Sequence, residues 1–344
     1  MAKAQNYGFG YLSGEISTRL PWLDRLDRWD WSFDGPSRFA FLILFNWSRI
    51  LQPIVGFGEI LWDMLPSGKQ AGGAPFNFTF HSHQLGWPAI MVSRVGNDDL
   101  GKELAKKCQE LGLNPEFLQE DLIHPTGTVA VQLDSLGQAE YEIKADVAWD
   151  HLEWNDGLKK LAGNCAAVCF GTLCQRHSVT RSTLTKFLDC CPKNAIKVFD
   201  INLRQNFYSR EILEESLFKA TWVKVNEQEL ETLTDLLGLK GDDLKESLEI
   251  LRRRYKLDLA ALTLGENGCL VNTKNERIYL QGHKIEVVDT IGAGDSFTAG
   301  LLVGLLKKKP LRRAITIAND LAAQVASKQG GTPLVDLAEK SFNS

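Results

Sequence analysis

The sequence predicts an α/β fold built on a mostly parallel sheet with helices on both faces, and three observations carry that expectation. After residue 165 short apolar runs alternate with amphipathic ones, the pattern of repeated strand–helix–strand units. Polar residues and glycines gather at the end of nearly every strand-like run, where sheets of this kind hold ligands. Between residues 127 and 143 two alternating runs joined by a polar turn interrupt the pattern and read as a hairpin.

Residues 1–52 differ from the rest of the chain. They hold four of the nine tryptophans, Trp22, Trp29, Trp31 and Trp47, interleaved with Asp24, Arg25, Asp27, Arg28 and Asp30. Their strongest apolar run, residues 39–45, lies between Arg38 and Arg49 and is far shorter than the roughly 20 residues a bilayer span requires. The start of the chain also lacks a secretory leader pattern. An appendage of unknown role outside the main fold, poorly ordered or included by an upstream start, is expected here.

From Pro53 to residue 344 the pattern is that of one domain. Residues 54–60 read as a first strand, 89–95 as another, and 99–111 as an amphipathic helix stopped by Gly112. The hairpin arms are 127–133 and 139–143, joined by 134–138. Strands come next at 166–171, 196–201, 222–225 and 259–264, with helical patterns at 178–190, 211–218, 227–236 and 242–254. Residues 284–288 alternate like a strand end, and 297–306 form an apolar helix running into Lys307-Lys308-Lys309-Pro310.

Composition narrows the function classes. An apolar fraction of 44% and a charged fraction of 24% in 344 residues describe a globular protein with a substantial core. The net charge of −4 disfavours a nucleic-acid binder, and nothing in the pattern calls for a membrane. The seven cysteines sit mostly in apolar runs without C-x-x-C pairs, which predicts buried, reduced thiols in the cytoplasm. The six histidines are scattered in sequence, and the two-residue spacing of His81 and His83 does not suit a metal pair on one helix face. No G-x-x-x-x-G-K-[ST] motif occurs, and Gly56-Phe57-Gly58 lacks the third glycine of a dinucleotide fingerprint because position 61 is Leu.

The most informative stretch is Val288-Asp289-Thr290-Ile291-Gly292-Ala293-Gly294-Asp295-Ser296-Phe297. A glycine turn at a helix start presents backbone N–H groups without intrahelical partners and the positive end of the macrodipole, so it favours an anion. Asp295, on the first helical turn, could accept a proton from a hydroxyl beside that anion. The alternative from these residues alone is a tight turn whose Asp295 caps the helix. Other polar groups leave the remaining strands: Glu59 and Asp63, then Gly72-Gly73-Ala74-Pro75-Phe76-Asn77; Asp200, Asn202 and Arg204; Asn226, Glu227 and Glu229; and Thr263-Leu264-Gly265-Glu266-Asn267-Gly268.

Residues 289–297, with Gly72–Asn77 upstream and Ser93-Arg94-Val95-Gly96-Asn97-Asp98 between them, resemble the ribokinase/PfkB family of carbohydrate kinases. The resemblance runs from about residue 54 to about residue 333, and residues 1–52 have no counterpart. Within the family the chain is most similar to fructokinases, through Gly58-Glu59-Ile60-Leu61-Trp62-Asp63, residues 170–176 and residues 199–205. The resemblance implies a three-layer α/β/α, ribokinase-like domain with a small β lid around 127–143. It implies transfer of the ATP γ-phosphoryl group to a sugar hydroxyl, for fructokinases the 6-hydroxyl of D-fructose. The alternatives are a relative acting on another sugar, a sugar acid or a nucleoside, and a catalytically inactive member serving as a binding or scaffold protein.

The resemblance also distributes roles. Asp295 matches the catalytic base, and Gly292, Ala293 and Gly294 match the anion hole. Asp63, Gly72, Gly73 and Asn77 match sugar-binding positions; Arg204 and Arg176 match positions facing sugar or transferring phosphate. Asn226 and Glu229 match an N-x-x-E element in which the carboxylate organises Mg²⁺ through water. Thr263, Gly265 and Gly268 match the nucleotide loop, and Asn319, on a helix over 311–328, lines the adenine site. Asp289, with Thr290, falls where some members hold a monovalent cation such as K⁺. A homodimer formed through the lid is a further expectation from the family.

Overall fold

Where Val, Ile, Leu, Phe and Ala run together the backbone extends, because such side chains fit a pleated surface buried on both sides. In the computed structural model, which describes residues 51–65, 68–133 and 139–336, the strands are Ile54–Phe57 (β1), Leu61–Leu65 (β2), Gly68–Gly72 (β3), Ala89–Gly96 (β4), Leu118–Asp121 (β5), Thr128–Leu133 (β6) and Ala139–Ile143 (β7). They continue with Ala167–Phe170 (β8), Ile196–Asp200 (β9), Trp222–Asn226 (β10), Leu259–Thr263 (β11), Cys269–Thr273 (β12) and Arg277–Leu280 (β13). Among the described residues nine of them form one sheet in the order β13-β12-β11-β10-β9-β8-β1-β4-β5. Every neighbouring pair from β5 to β11 is parallel, and β12 and β13 add an antiparallel edge. The sheet starts at β1, builds outward through β4 and β5, then crosses to β8 on the other side. The carboxyl ends of the strands at such a reversal are the usual ligand position in sheets of this kind.

Alternation along each strand divides the side chains between two cores. Val55, Phe57, Val168, Phe170 and Phe199 pack with Leu184, Phe187, Leu213 and Leu230 from the helices Ser178–Cys190, Arg210–Lys219 and Glu227–Leu237. Ile54, Ala167, Cys169 and Val198 face the opposite way, against Phe297, Leu301, Leu302 and Ala318 of the helices Ala293–Leu306 and Leu311–Ala326. The result is the expected three layers. Gly300 and Gly304 let those last two helices touch, since a Cβ on either would come within 2.8 Å of Ala318 Cα or 2.9 Å of Ala314 Cβ.

The hairpin at 127–143 forms as antiparallel β6 and β7; its turn, residues 134–138, lies outside the described residues. It is half of a larger lid, because β2 and β3 form a second antiparallel pair and β2 joins β6 in parallel, giving the order β3-β2-β6-β7. The first strand therefore does not run from 54 to 60. It ends at Phe57, where Gly58 takes φ 142 and redirects the chain into the lid. The lid sits on a small core of its own, Leu61, Val129, Ile143, Val147, Trp149 and Leu173.

Two further expectations change. Residues 284–288 form no strand: the end of the segment bonds through Val288 N–H to Ala326 O at 2.9 Å, on the last helix, and not to a sheet edge, and Val287 and Val288 are 58% and 60% exposed. The helix expected from 297 begins four residues earlier, at Ala293. The appendage expected over residues 1–52 lies outside the described residues except for Leu51 and Gln52. No helix among the described residues is long and apolar enough to cross a membrane. All seven cysteines are free thiols, six of them buried.

Candidate active site

The glycine turn is built by one backbone choice. Gly292 takes φ 77, a left-handed value, and is the N-cap of the helix Ala293–Leu306; a Cβ there would stand 2.5 Å from the carbonyl oxygen of Gly331. Ala293 N–H turns back onto Thr290 O at 3.3 Å and Ser296 N–H opens the helical ladder on Gly292 O at 2.8 Å. The N–H groups of Gly294 and Asp295 between them have no acceptor among the described residues, as an anion-binding helix start requires. Gly292→Ala is expected to cost at least about 1–2 kcal/mol for a left-handed non-glycine residue. It should also lower kcat by roughly 100-fold, the penalty of an ångström of misplacement, as read by denaturant titration and steady-state kinetics.

Asp295 does not cap that helix. It is the third helical residue, and its Oδ2 accepts from Asn77 Nδ2 at 2.9 Å. Asn77 comes four residues after Gly73 on the helix Ala74–Gln84, which starts where the lid strand β3 ends. Two of the motifs singled out in the sequence, 218 positions apart, are thus joined by one hydrogen bond. Burial raises the Asp295 carboxyl to about 6, with the neighbouring Asp200 adding to the rise and the Asn77 bond and the Lys224 and Arg204 charges opposing it.

Lys224 belongs to no motif of the sequence, yet it stands in the site. It lies on β10 between Val223 and Val225, and its Nζ would be 2.8 Å from a Cβ on Gly294, so an ammonium stands beside the anion turn. Its partner is Asp200 Oδ1 at 3.1 Å, while Asp200 Oδ2 accepts from Thr298 Oγ1 at 2.9 Å. Burial alone would lower the Lys224 pKa, but the charges of Asp200, Glu229 and Asp295 outweigh it and raise the pKa. A lysine inside a buried parallel strand is rare without a partner, and that was the available signal. Glu59, at the exit of β1, is also buried; burial lifts its carboxyl to about 7, and its Oε2 has no hydrogen-bond partner.

Asp63 on β2 faces Gly72 on β3 so closely that a Cβ on Gly72 would collide with its Oδ2. Burial raises Asp63 to about 6 against the pull of Arg204. Gly73 takes φ 112 with its Cβ direction filled by Glu59 O at 2.5 Å. Arg204 is exposed, and its charge acts on Glu59, Asp63 and Asp295 together. Arg176 is committed to the foot of the lid: it pairs with Asp150 at 2.7 Å, donates to Lys144 O, and packs over Trp149 and Phe207, with Nη1 left unpartnered.

On the opposite flank Asn226 and Thr263 are register partners at the ends of β10 and β11. Asn226 and Glu229 form a capping box, and the second oxygen of Glu229 accepts from Leu203 N–H. Gly265, at φ 56, opens onto free space, whereas Gly268, at φ 91, is packed so that a Cβ would run into Leu280 O. Asn319 donates to Gln281 O at 3.0 Å. Asp289 clasps two loops, accepting from Ile291 N–H at 2.9 Å and Gly330 N–H at 3.0 Å.

A family model described as pfkB family carbohydrate kinase matches residues 67–337. The chain belongs to that family. Fructokinase-1 of Oryza sativa subsp. japonica is 29% identical over 81% of this chain and 93% of its own length. An ATP-dependent 6-phosphofructokinase of Thermoanaerobacterium thermosaccharolyticum is 30% identical over 78% of this chain and 86% of its own. Among solved structures, an uncharacterized sugar kinase of Pyrococcus horikoshii in complex with ATP superposes with a TM-score of 0.72 at 27% identity, covering 84% of this chain and 99% of that one. The three-layer sheet with its lid is therefore the family fold, and the chain is a carbohydrate kinase.

Proposed function

We propose that this kinase transfers the γ-phosphoryl group of ATP to a sugar hydroxyl, with D-fructose the acceptor at its 6-hydroxyl. The observation that carries the reading is the Asn77–Asp295 hydrogen bond, which puts a carboxylate with a raised pKa at the meeting point of the lid side and the anion turn. Asp295, when ionised, takes the acceptor hydroxyl proton. The N–H groups of Gly294 and Asp295 and the Lys224 ammonium stabilise charge on the moving phosphoryl group. Asp63 accepts from sugar hydroxyls beneath the lid, with Gly72 and Gly73 letting its carboxylate and the Glu59 backbone pack close beside them.

ATP would lie across the ends of β10 and β11, along Asn226, Thr263, Gly265 and Asn319. Mg²⁺ neutralises phosphate charge when bound; Glu229 fits it through water, since both carboxylate oxygens already accept backbone N–H groups. Asp289 keeps lone pairs beyond its two bonds, enough for a monovalent cation such as K⁺. The free thiols support a reducing, cytoplasmic setting.

The test is an acceptor panel with ATP: fructose, glucose, ribose, 2-keto-3-deoxygluconate, adenosine and fructose 6-phosphate. The expected result is the highest kcat/KM for fructose. Fructose 6-phosphate belongs in the panel because one relative is a phosphofructokinase; its ranking first would move the acceptor to a sugar phosphate. Absence of ATP turnover with every acceptor would favour a binding protein.

A further inference from the structure

Three of the six histidines, scattered in sequence, meet at the foot of the lid. His124 and His151 stack with ring centroids 3.5 Å apart and planes within 8°, and the His177 ring lies 4.4 Å from that of His151, tilted by 48°. Asp146, three residues after the lid strand β7, points its Oδ1 at both: 2.8 Å from His151 Nε2 and 3.8 Å from His124 Nε2. The three ligand atoms lie within 4.8 Å of one another.

The surroundings hold these groups in place. His124 Nδ1 is 3.1 Å from Asp121 Oδ2, which fixes the ring with its Nε2 turned towards the Asp146 carboxylate. His124 Nε2, His151 Nε2 and Asp146 Oδ1 thus converge within a span that one ion could bridge. Asp121 is itself pinned, accepting from the N–H groups of Ile123 and His124 at 2.8 Å and pairing with Arg94 at 2.8 Å. Arg94 also donates to His151 O at 2.8 Å. A carboxylate behind a ligating imidazole is the common outer-shell device for fixing its tautomer. His177 is not one of the converging ligands; its Nδ1 accepts from Val179 N–H. Asp146 holds φ 54, a left-handed value that Asp tolerates better than most residues.

We propose that His124 Nε2, His151 Nε2 and Asp146 Oδ1 bind a late first-row divalent cation such as Zn²⁺, with water in the remaining position. Two imidazoles and one carboxylate suit that class; Mg²⁺ and Ca²⁺ prefer all-oxygen shells. Binding releases to solvent the proton that His151 Nε2 shares with Asp146, and tilts the rings apart, because their planes are nearly parallel as they stand. The ion ties the loop after β7 to the loop after β5, and so restrains the lid at its foot. This site is independent of the phosphoryl-transfer reading.

Chelator-treated full-length chain is titrated with Co²⁺ and monitored by visible absorption. The expected result is the intense band of four-coordinate cobalt saturating near one equivalent, without a thiolate charge-transfer band, and displaced by Zn²⁺. Affinity should fall by at least about 10–100-fold, the range known for outer-shell partners alone, in His151→Ala and in Asp146→Asn. The second variant keeps the test sound if the first does not fold, since the Asp146 side chain is 73% exposed and Asn accepts left-handed φ. His283→Ala, altering a histidine paired with Asp320 elsewhere, should leave binding unchanged. No band, a thiolate band, or affinity unchanged in Asp146→Asn overturns the proposal.

Discussion

Asp295→Asn lowers kcat by about 10²–10⁴-fold, the usual worth of a positioned general base, while secondary structure and the unfolding midpoint stay near those of the parent. The amide is isosteric and can still meet Asn77, so the loss isolates proton acceptance from packing. The parent should also show an acid limb. Burial holds the Asp295 carboxyl at about 6, and a raised carboxyl is protonated, hence unable to accept, below that value. kcat/KM is therefore level above about pH 7 and falls tenfold per unit once pH drops clearly below 6. Near-normal turnover by Asp295→Asn would remove the base from the mechanism.

Lys224→Met carries the second large effect and acts on stability and rate together. The Lys224–Asp200 pair is buried on both sides, and removing one member of such a pair leaves a charge without compensation, at about 3–5 kcal/mol. The unpaired Asp200 carboxylate then acts on Asp295, whose pKa it already raises and Lys224 lowers. The acid limb should move to higher pH in the variant. Adding Asp200→Asn to Lys224→Met should recover much of the lost denaturation midpoint but not the lost kcat, because the ammonium beside Gly294 is still missing. Recovery of both would assign Lys224 a purely structural role.

The parallel sheet was legible because its strands are continuous apolar runs bounded by polar exits, and that pattern survives without tertiary information. The lid was only half legible. Val129, Val131 and Tyr141 announce β6 and β7, but Gly68-Lys69-Gln70-Ala71-Gly72 has no β-branched or aromatic residue, and becomes a strand through pairing with β2. Residues 284–288 failed in the opposite direction, with strand-like alternation and no strand partner. In the site, Asp295, Gly292 and Asn77 stood in short motifs with local physical meaning. Glu59 and Asp200 stood out only as polar strand exits without a role, and Lys224 not at all, because the importance of a buried charge depends on neighbours far along the chain. The histidine cluster was hidden for the same reason: His124, Asp146 and His151 have no metal spacing in sequence and meet only through the lid.

The loop at Gly330-Gly331 has a consequence for how the protein is made. His81 Nε2 meets Gly331 O at 3.0 Å, and Gly331 presses on Asn77 and Gly292; burial keeps His81 neutral by lowering its pKa to about 4. The helix that carries Asn77 and His81 leaves the ribosome more than two hundred residues before its partners Asp295 and Gly331. A nascent chain can therefore assemble β1 through β11 and bury much of its core while holding half of the proposed site. If that site carries the transfer, competence comes with the last elements of the domain, and ATP turnover measured on stalled chains of increasing length should switch on abruptly rather than grow.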